Sequence, residues 1–249
     1  MPAERSFNIG MVKPVHELRV KIFADGADKD GILTLSKDPL IKGFTTNPTL
    51  MRKAGVSDYA VFAREVLSVI RDKPVSFEVF SDDFSEMERQ ARIISSWASN
   101  VYVKIPITNT RSEFSFDLVK KLAASGIKLN VTAILTLKQV KDIIPALSAS
   151  APAIISVFAG RIADTGVDPA PIMQEAKRML DGHKSAELLW ASPRELLNIY
   201  DAEAAGTDII TVTSDILKKL EKVGYDHTVL SLDTVKLFYE DGGAGGYTL

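Results

Sequence analysis

A single lysine interrupts the run Val101-Tyr102-Val103-Lys104-Ile105-Pro106. In strand geometry Val101, Val103 and Ile105 face one side, and Tyr102 and Lys104 the other. Runs this apolar belong to parallel sheets covered on both faces. An ammonium there must be paired or give up its proton. A desolvated amine with a free lone pair attacks ketone carbonyls and forms a Schiff base. The protonated imine is an electron sink, so an adjacent carbon–carbon bond can break or form. That chemistry needs proton carriers, and Asp25 and Glu78 are the carboxylates in comparable strand positions. The competing reading of Lys104 is a structural ion pair with Glu78 or Asp25. Such a pair does not by itself exclude catalysis.

These three residues lie on separate elements. Strand-like runs recur at Arg19–Asp25, Gly43–Asn47, Val75–Phe80, Val101–Pro106, Lys128–Ile134, Ala153–Phe158, Glu187–Ser192 and Asp208–Thr213. Between them, Asp58–Asp72, Phe84–Ala98 and Glu113–Ser125 carry apolar residues at helical spacing. The rhythm is that of βαβ units. About eight such units in a chain of 249 residues predict a single-domain α/β fold, the (β/α)8 TIM barrel. A doubly wound open sheet is the competitor. The first strand, however, runs into Asp25-Gly26-Ala27-Asp28, which is not a dinucleotide fingerprint.

In such a barrel the inward face turns polar near the C-terminal mouth. Parity puts Asp25, Thr45 and Asn47, Ser76 and Glu78, Lys104, Asn130 and Thr132, Ser156, Ser192, and Thr211 and Thr213 on one inner surface. Isolated buried polar groups satisfied by local hydrogen bonds are the plain alternative. Three ionisable groups together need a stronger reason. Arg161 and Arg194 follow late strand ends, where barrels hold phosphates, and Ser192 adds a donor there.

Composition narrows the partners. Net charge is −2, so no basic field for nucleic acid is expected. There are no cysteines, which removes disulfides and thiolate chemistry. His16, His183 and His227 lack metal-ligand spacing, so no metal site is expected. Met1 to Val20 has no apolar segment, and no run approaches a membrane span. A cytoplasmic protein with no membrane partner is the expectation.

Together, Asp25, Gly43-Phe44-Thr45-Thr46-Asn47-Pro48, Val103-Lys104-Ile105-Pro106, Asn130-Val131-Thr132 and Ser156-Val157-Phe158-Ala159-Gly160-Arg161 resemble the transaldolases, Schiff-base enzymes on a (β/α)8 barrel. The chain's size resembles the small branch that also holds fructose-6-phosphate aldolases. The resemblance implies Lys104 as the Schiff-base lysine and Asp25 as the acid/base at the cleaved bond. It implies that Glu78 and Thr132 hold a proton-relaying water. Asn47 and Asn130 would orient hydroxyls, with Thr45, Ser156 and Phe158 lining the substrate site. Arg161, Ser192 and Arg194 would hold phosphate. No cofactor is implied, because the lysine supplies the electron sink.

The implied reaction moves a dihydroxyacetone unit from sedoheptulose 7-phosphate or fructose 6-phosphate to an aldose phosphate, in the non-oxidative pentose phosphate pathway. The aldolase branch tends to carry glutamine at position 78 and tyrosine at position 158, so Glu78 and Phe158 imply transfer over cleavage. Trp190 is bulkier than the small residue expected there, and Gly26 replaces a hydroxyl-bearing residue. Both bear on the pocket. Simple aldol cleavage, a barrel isomerase with an electrostatic Lys104, and a non-catalytic sugar-phosphate binder stand as alternatives. The expected organisation is an extension over residues 1–20, the barrel over 21–241, and a glycine-rich tail over 242–249. A late helix over Asp226–Asp241 would carry Val229, Leu232, Val235 and Phe238 on one side. That face is expected to pack on its own barrel, with a neighbouring copy as the alternative, and a homo-oligomer is expected.

Overall fold

The computed structural model describes residues 12–247. Eight strands close into a barrel in chain order: β1 (Lys21–Asp25), β2 (Ile41–Thr45), β3 (Val75–Glu78), β4 (Val101–Pro106), β5 (Leu129–Ile134), β6 (Ala153–Val157), β7 (Ala186–Trp190) and β8 (Ile209–Thr213). Every neighbouring pair is parallel, and β8 pairs back onto β1. Helices α1 (Lys29–Leu35), α2 (Pro48–Lys53), α3 (Tyr59–Val69), α4 (Phe84–Ser95), α5 (Phe116–Ala124), α6 (Leu137–Ile143), α7 (Ala159–Ala163), α8 (Ala170–Met179), α9 (Leu197–Ala204) and α10 (Ser214–Leu217) follow the strands, and α11 (His227–Ala244) ends the described chain. This is the (β/α)8 barrel expected from the strand count.

Local chemistry explains where the helices start. Asp28, Asn47, Asp58 and Asp83 each accept a backbone N–H two or three residues into the next helix, and Thr136 with Gln139 forms a full capping box. The third predicted helix starts later than its periodicity suggests. Thr108 bridges Phe114, and Asn109 contacts Glu113, so residues 108–115 form a tight loop before α5.

Two apolar layers result. The outer one lies between strands and helices. The inner one is small: Phe23, Ile154, Leu189, Ala191 and Ile209 fill the barrel interior. Gly43 makes room for it, since a Cβ there would stand 2.5 Å from the Phe23 ring. Above this filling the interior becomes polar.

The late helix departs from expectation. α11 exists but buries no residue against its own barrel; Val229, Leu232, Val235 and Phe238 are exposed, Phe238 by 68%. It also runs through Gly242 and Gly243, inside the segment read as a tail. At the other end, Lys13 and Arg19 bond Glu203 on α9, while the first eleven residues of the expected extension lie outside the described residues. Among the described residues no helix is long and apolar enough to cross a membrane.

Candidate active site

Strand register brings the reactive residues together. Glu78 pairs with Lys104 across β3 and β4, Lys104 with Asn130 across β4 and β5, Pro106 with Thr132, and Asp25 with Thr45 across β1 and β2. Their side chains meet at the C-terminal mouth in a cavity of about 450 Å³. Its wall includes Asp25, Thr45, Asn47, Glu78, Lys104, Asn130, Thr132, Ser156, Phe158, Arg161, Ser192 and Thr211, but not Ser76, Thr213 or Arg194.

Lys104 is 6% exposed. Its Nζ lies 3.1 Å from Glu78 Oε2 and donates to the Thr46 carbonyl at 2.9 Å. The ion pair considered for Lys104 therefore exists, and with Glu78 rather than Asp25. An amine facing both a carboxylate and an open cavity can hand over its proton and attack.

Glu78 is fixed from outside the barrel. Tyr59 on α3 donates its hydroxyl to the Glu78 carbonyl at 2.9 Å and accepts the Glu78 N–H at 2.8 Å. Burial pushes the Tyr59 phenol well above its ordinary range, so it stays a neutral donor. In the sequence Tyr59 is one of the residues that give Asp58–Asp72 its helical apolar spacing. Nothing in the local pattern shows that its hydroxyl reaches a strand end.

Asp25 faces the same cavity, and its carboxyl is pushed up from the ordinary range. Burial is the largest cause; Lys104 and a Thr45 hydrogen bond oppose it, and Glu78 adds to it. Thr45 Oγ1 donates to Asp25 Oδ1 at 2.7 Å and also contacts Thr211 Oγ1. Thr45 thus bonds Asp25 while also lining the cavity.

A second hydrogen-bonded group crosses the floor. Ser156 donates to Asn130 Oδ1 at 2.7 Å, and Asn130 Nδ2 donates to Ser76 Oγ at 3.1 Å. This fixes the Asn130 amide in one orientation. Thr132 is 1% exposed, and its hydroxyl has no hydrogen-bond partner among the described residues. It stands in the wall as an unused donor and acceptor.

The rim carries the anion-binding candidates. Gly160 is required: a Cβ there would lie 1.5 Å from the Ser192 carbonyl. That close approach sets Arg161 and Ser192 on one edge. The Arg161 guanidinium lies 5.1 Å from the Phe158 ring centroid. Ser192 and Ala133, both in the wall, have φ near +60°, an unusual cost for non-glycine residues that clusters at functional sites. Arg194 is placed elsewhere. It bonds both oxygens of Asp164 and forms no part of the wall.

Trp190 does not crowd the site. It packs in the outer layer, its indole N–H unpartnered among the described residues, while Leu189, Ala191 and Ser192 line the cavity. Gly26 is also absent from the wall.

The chain's residues 22–241 match the model of one family, described as transaldolase/fructose-6-phosphate aldolase. The chain belongs to the transaldolase/fructose-6-phosphate aldolase family. Its relatives include "Probable transaldolase 2" of Listeria monocytogenes, 37% identical over 203 residues that cover 81% of this chain and 88% of that one. A "Probable transaldolase" of Chelativorans is also 37% identical, over 82% of this chain and 89% of its own. Among solved structures, one titled "QR15, an Aldolase" superposes with a TM-score of 0.56 at 15% identity, covering 86% of this chain and 99% of that one. That likeness concerns the barrel alone.

Proposed function

We propose that this chain is a transaldolase acting on sugar phosphates through a Schiff base on Lys104. The observation that carries the reading is the buried Lys104 Nζ, 3.1 Å from Glu78 in a cavity shared with Asp25. Lys104 attacks C2 of a ketose phosphate such as fructose 6-phosphate or sedoheptulose 7-phosphate. Glu78, through a water bound at the free Thr132 hydroxyl, moves the protons that turn the carbinolamine into an iminium and release water. Asp25 takes the proton of the C4 hydroxyl, the C3–C4 bond breaks, and its electron pair neutralises the iminium as an enamine. An aldose phosphate leaves. The enamine then adds to the aldehyde carbon of a second aldose phosphate, Asp25 returns the proton, and hydrolysis frees Lys104.

Asn130, fixed by Ser156 and Ser76, and Asn47 orient the sugar hydroxyls. Arg161 and Ser192 take the phosphate, and Arg194 joins them by exchanging Asp164 for the phosphate. Phe158 offers no hydroxyl to protonate the enamine, so the enamine waits for an acceptor; this favours transfer over cleavage and suits the pentose phosphate interconversions. The exposed apolar face of α11 supports a homo-oligomer.

Borohydride reduction with fructose 6-phosphate, followed by peptide mass analysis, tests the chemistry. A dihydroxyacetone or hexose adduct on Lys104 is expected, and its absence contradicts the reading. Formation of sedoheptulose 7-phosphate from fructose 6-phosphate and erythrose 4-phosphate is expected to exceed release of free dihydroxyacetone. The reverse ratio would make the chain an aldolase.

A further inference from the structure

The geometry points to Thr211 as a positioning residue for the carbon–carbon bond step, acting on Asp25 through the hydroxyl of Thr45. This inference rests on the proposed role of Asp25. Thr45 and Thr211 are both buried inside the barrel. They come from the two strands that flank β1: Thr45 pairs with Asp25 on one side, and Thr211 with Phe23, two residues lower, on the other. Their hydroxyls meet beside Asp25.

The direction of the bonds follows from counting protons. A hydroxyl has one hydrogen. An ionised carboxylate only accepts, so the Thr45 proton goes to Asp25 Oδ1, at 2.7 Å. The Thr45–Thr211 contact must then use the Thr211 proton. Thr211 thus fixes the rotor of Thr45, and Thr45 fixes one oxygen of Asp25. Among the described residues, no side chain donates to the other oxygen, which is left for the C4 hydroxyl of the substrate. Lys104 from β4 and Glu78 from β3 are the charged groups that act on Asp25, and Arg161 stands at the rim. The flanking strands β2 and β8 present it only hydroxyls. Fixing the base matters for rate because misorientation at the reacting atom is paid in the transition state.

Removing the Thr211 proton should leave Schiff-base formation intact, since that step uses Lys104, Glu78 and Thr132. It should slow the step that uses Asp25. Thr211→Val keeps the shape and removes the donor; Thr211→Ser keeps the donor. For Thr211→Val the expected result, with free dihydroxyacetone as the probe so that no carbon–carbon bond need break, is borohydride trapping on Lys104 at the wild-type level. Transfer kcat should fall about tenfold with KM nearly unchanged, a loss typical of one hydrogen bond in a charged group's network. The acidic limb of its kcat/KM profile should move to higher pH, because a Thr45 hydroxyl no longer held by Thr211 favours the charged carboxylate less. Thr211→Ser should restore both kcat and the limb. Wild-type kcat and an unmoved limb in Thr211→Val, with trapping intact, would overturn the relay alone. So would a loss of trapping in that variant, or a Thr211→Ser variant as slow as Thr211→Val, since either assigns Thr211 to packing. Absence of trapping in the wild type would overturn the relay together with the Schiff-base reading beneath it.

Discussion

Replacing Lys104 with methionine separates chemistry from stability. Methionine keeps the aliphatic stem and roughly the volume, and removes the nitrogen. Two interactions go with it: the contact with Glu78 at 3.1 Å and the bond to the Thr46 carbonyl at 2.9 Å. A bond from a charged donor is worth about 1.5–3 kcal/mol. Glu78 is left without its cation, but its side chain is 18% exposed and can still reach water, which reduces that cost. The ammonium's own desolvation cost vanishes in the variant. The balance is a loss of about 2 kcal/mol, or a fall of roughly 4–8 °C in thermal midpoint for a chain of this size. The protein should therefore fold. Its transfer activity, assayed by coupling the aldose phosphate product to a dehydrogenase, should drop by on the order of 10⁴-fold or more, because the covalent route is gone. A variant that keeps more than about one per cent of wild-type turnover in that coupled assay, or a reduced sugar adduct on another lysine, would refute the assignment.

Asp25→Asn should lower kcat by about 10²- to 10⁴-fold while borohydride still traps added free dihydroxyacetone on Lys104, a step that breaks no carbon–carbon bond. The same variant should be more stable than the parent at neutral pH. Asp25 has a folded value raised above 3.8, so it stabilises the fold only when protonated, and that contribution is lost as pH rises through its folded value. The stability gain of the variant should therefore grow upward from about pH 4 and vanish below it, as read by thermal melts across pH. Asp164→Asn should free Arg194 and lower the inhibition constant of inorganic phosphate about two- to fivefold, a size set by the half-exposed ion pair it breaks; an unchanged constant would leave Arg194 outside the phosphate site. Val235→Asp with Phe238→Asp should reduce the mass measured by light scattering to that of a smaller assembly, and an unchanged mass would remove α11 from the interface.

The barrel was legible because parallel strands buried on both faces leave short, dense apolar runs, and because one polar position in each run sets its parity. That parity put Asp25, Thr45, Glu78 and Lys104 on one inner surface; which of them pair came from the strand register. Parity failed where strands stop. β7 ends at Trp190, and Ser192 turns to a φ of +60°, so Ser192 lines the cavity although Trp190, two residues earlier, points outward. The resemblance suggests that the bulk of Trp190 bears on the pocket, and the outward turn of its side chain removes that concern. Arg194 shows a different limit. Its position past a strand end was readable, but its partner Asp164 depends on how α7 turns over the rim, which Gly160 decides by packing on Ser192. Contacts between distant segments, such as Tyr59 with Glu78 or Thr45 with Thr211, leave no mark on local patterning. The exposed face of α11 was visible as a stripe of apolar residues, and only the barrel's geometry tells that the stripe has nothing of its own to cover.

The aromatic ring of Phe23, seated over Gly43 and clustered with Ile154, Leu189 and Ile209, fills the barrel beneath the cavity. In the proposed transfer, departing and arriving sugars would use the same mouth. On that reading the first aldose clears the cavity before the second enters, and an excess of either one would obstruct the other.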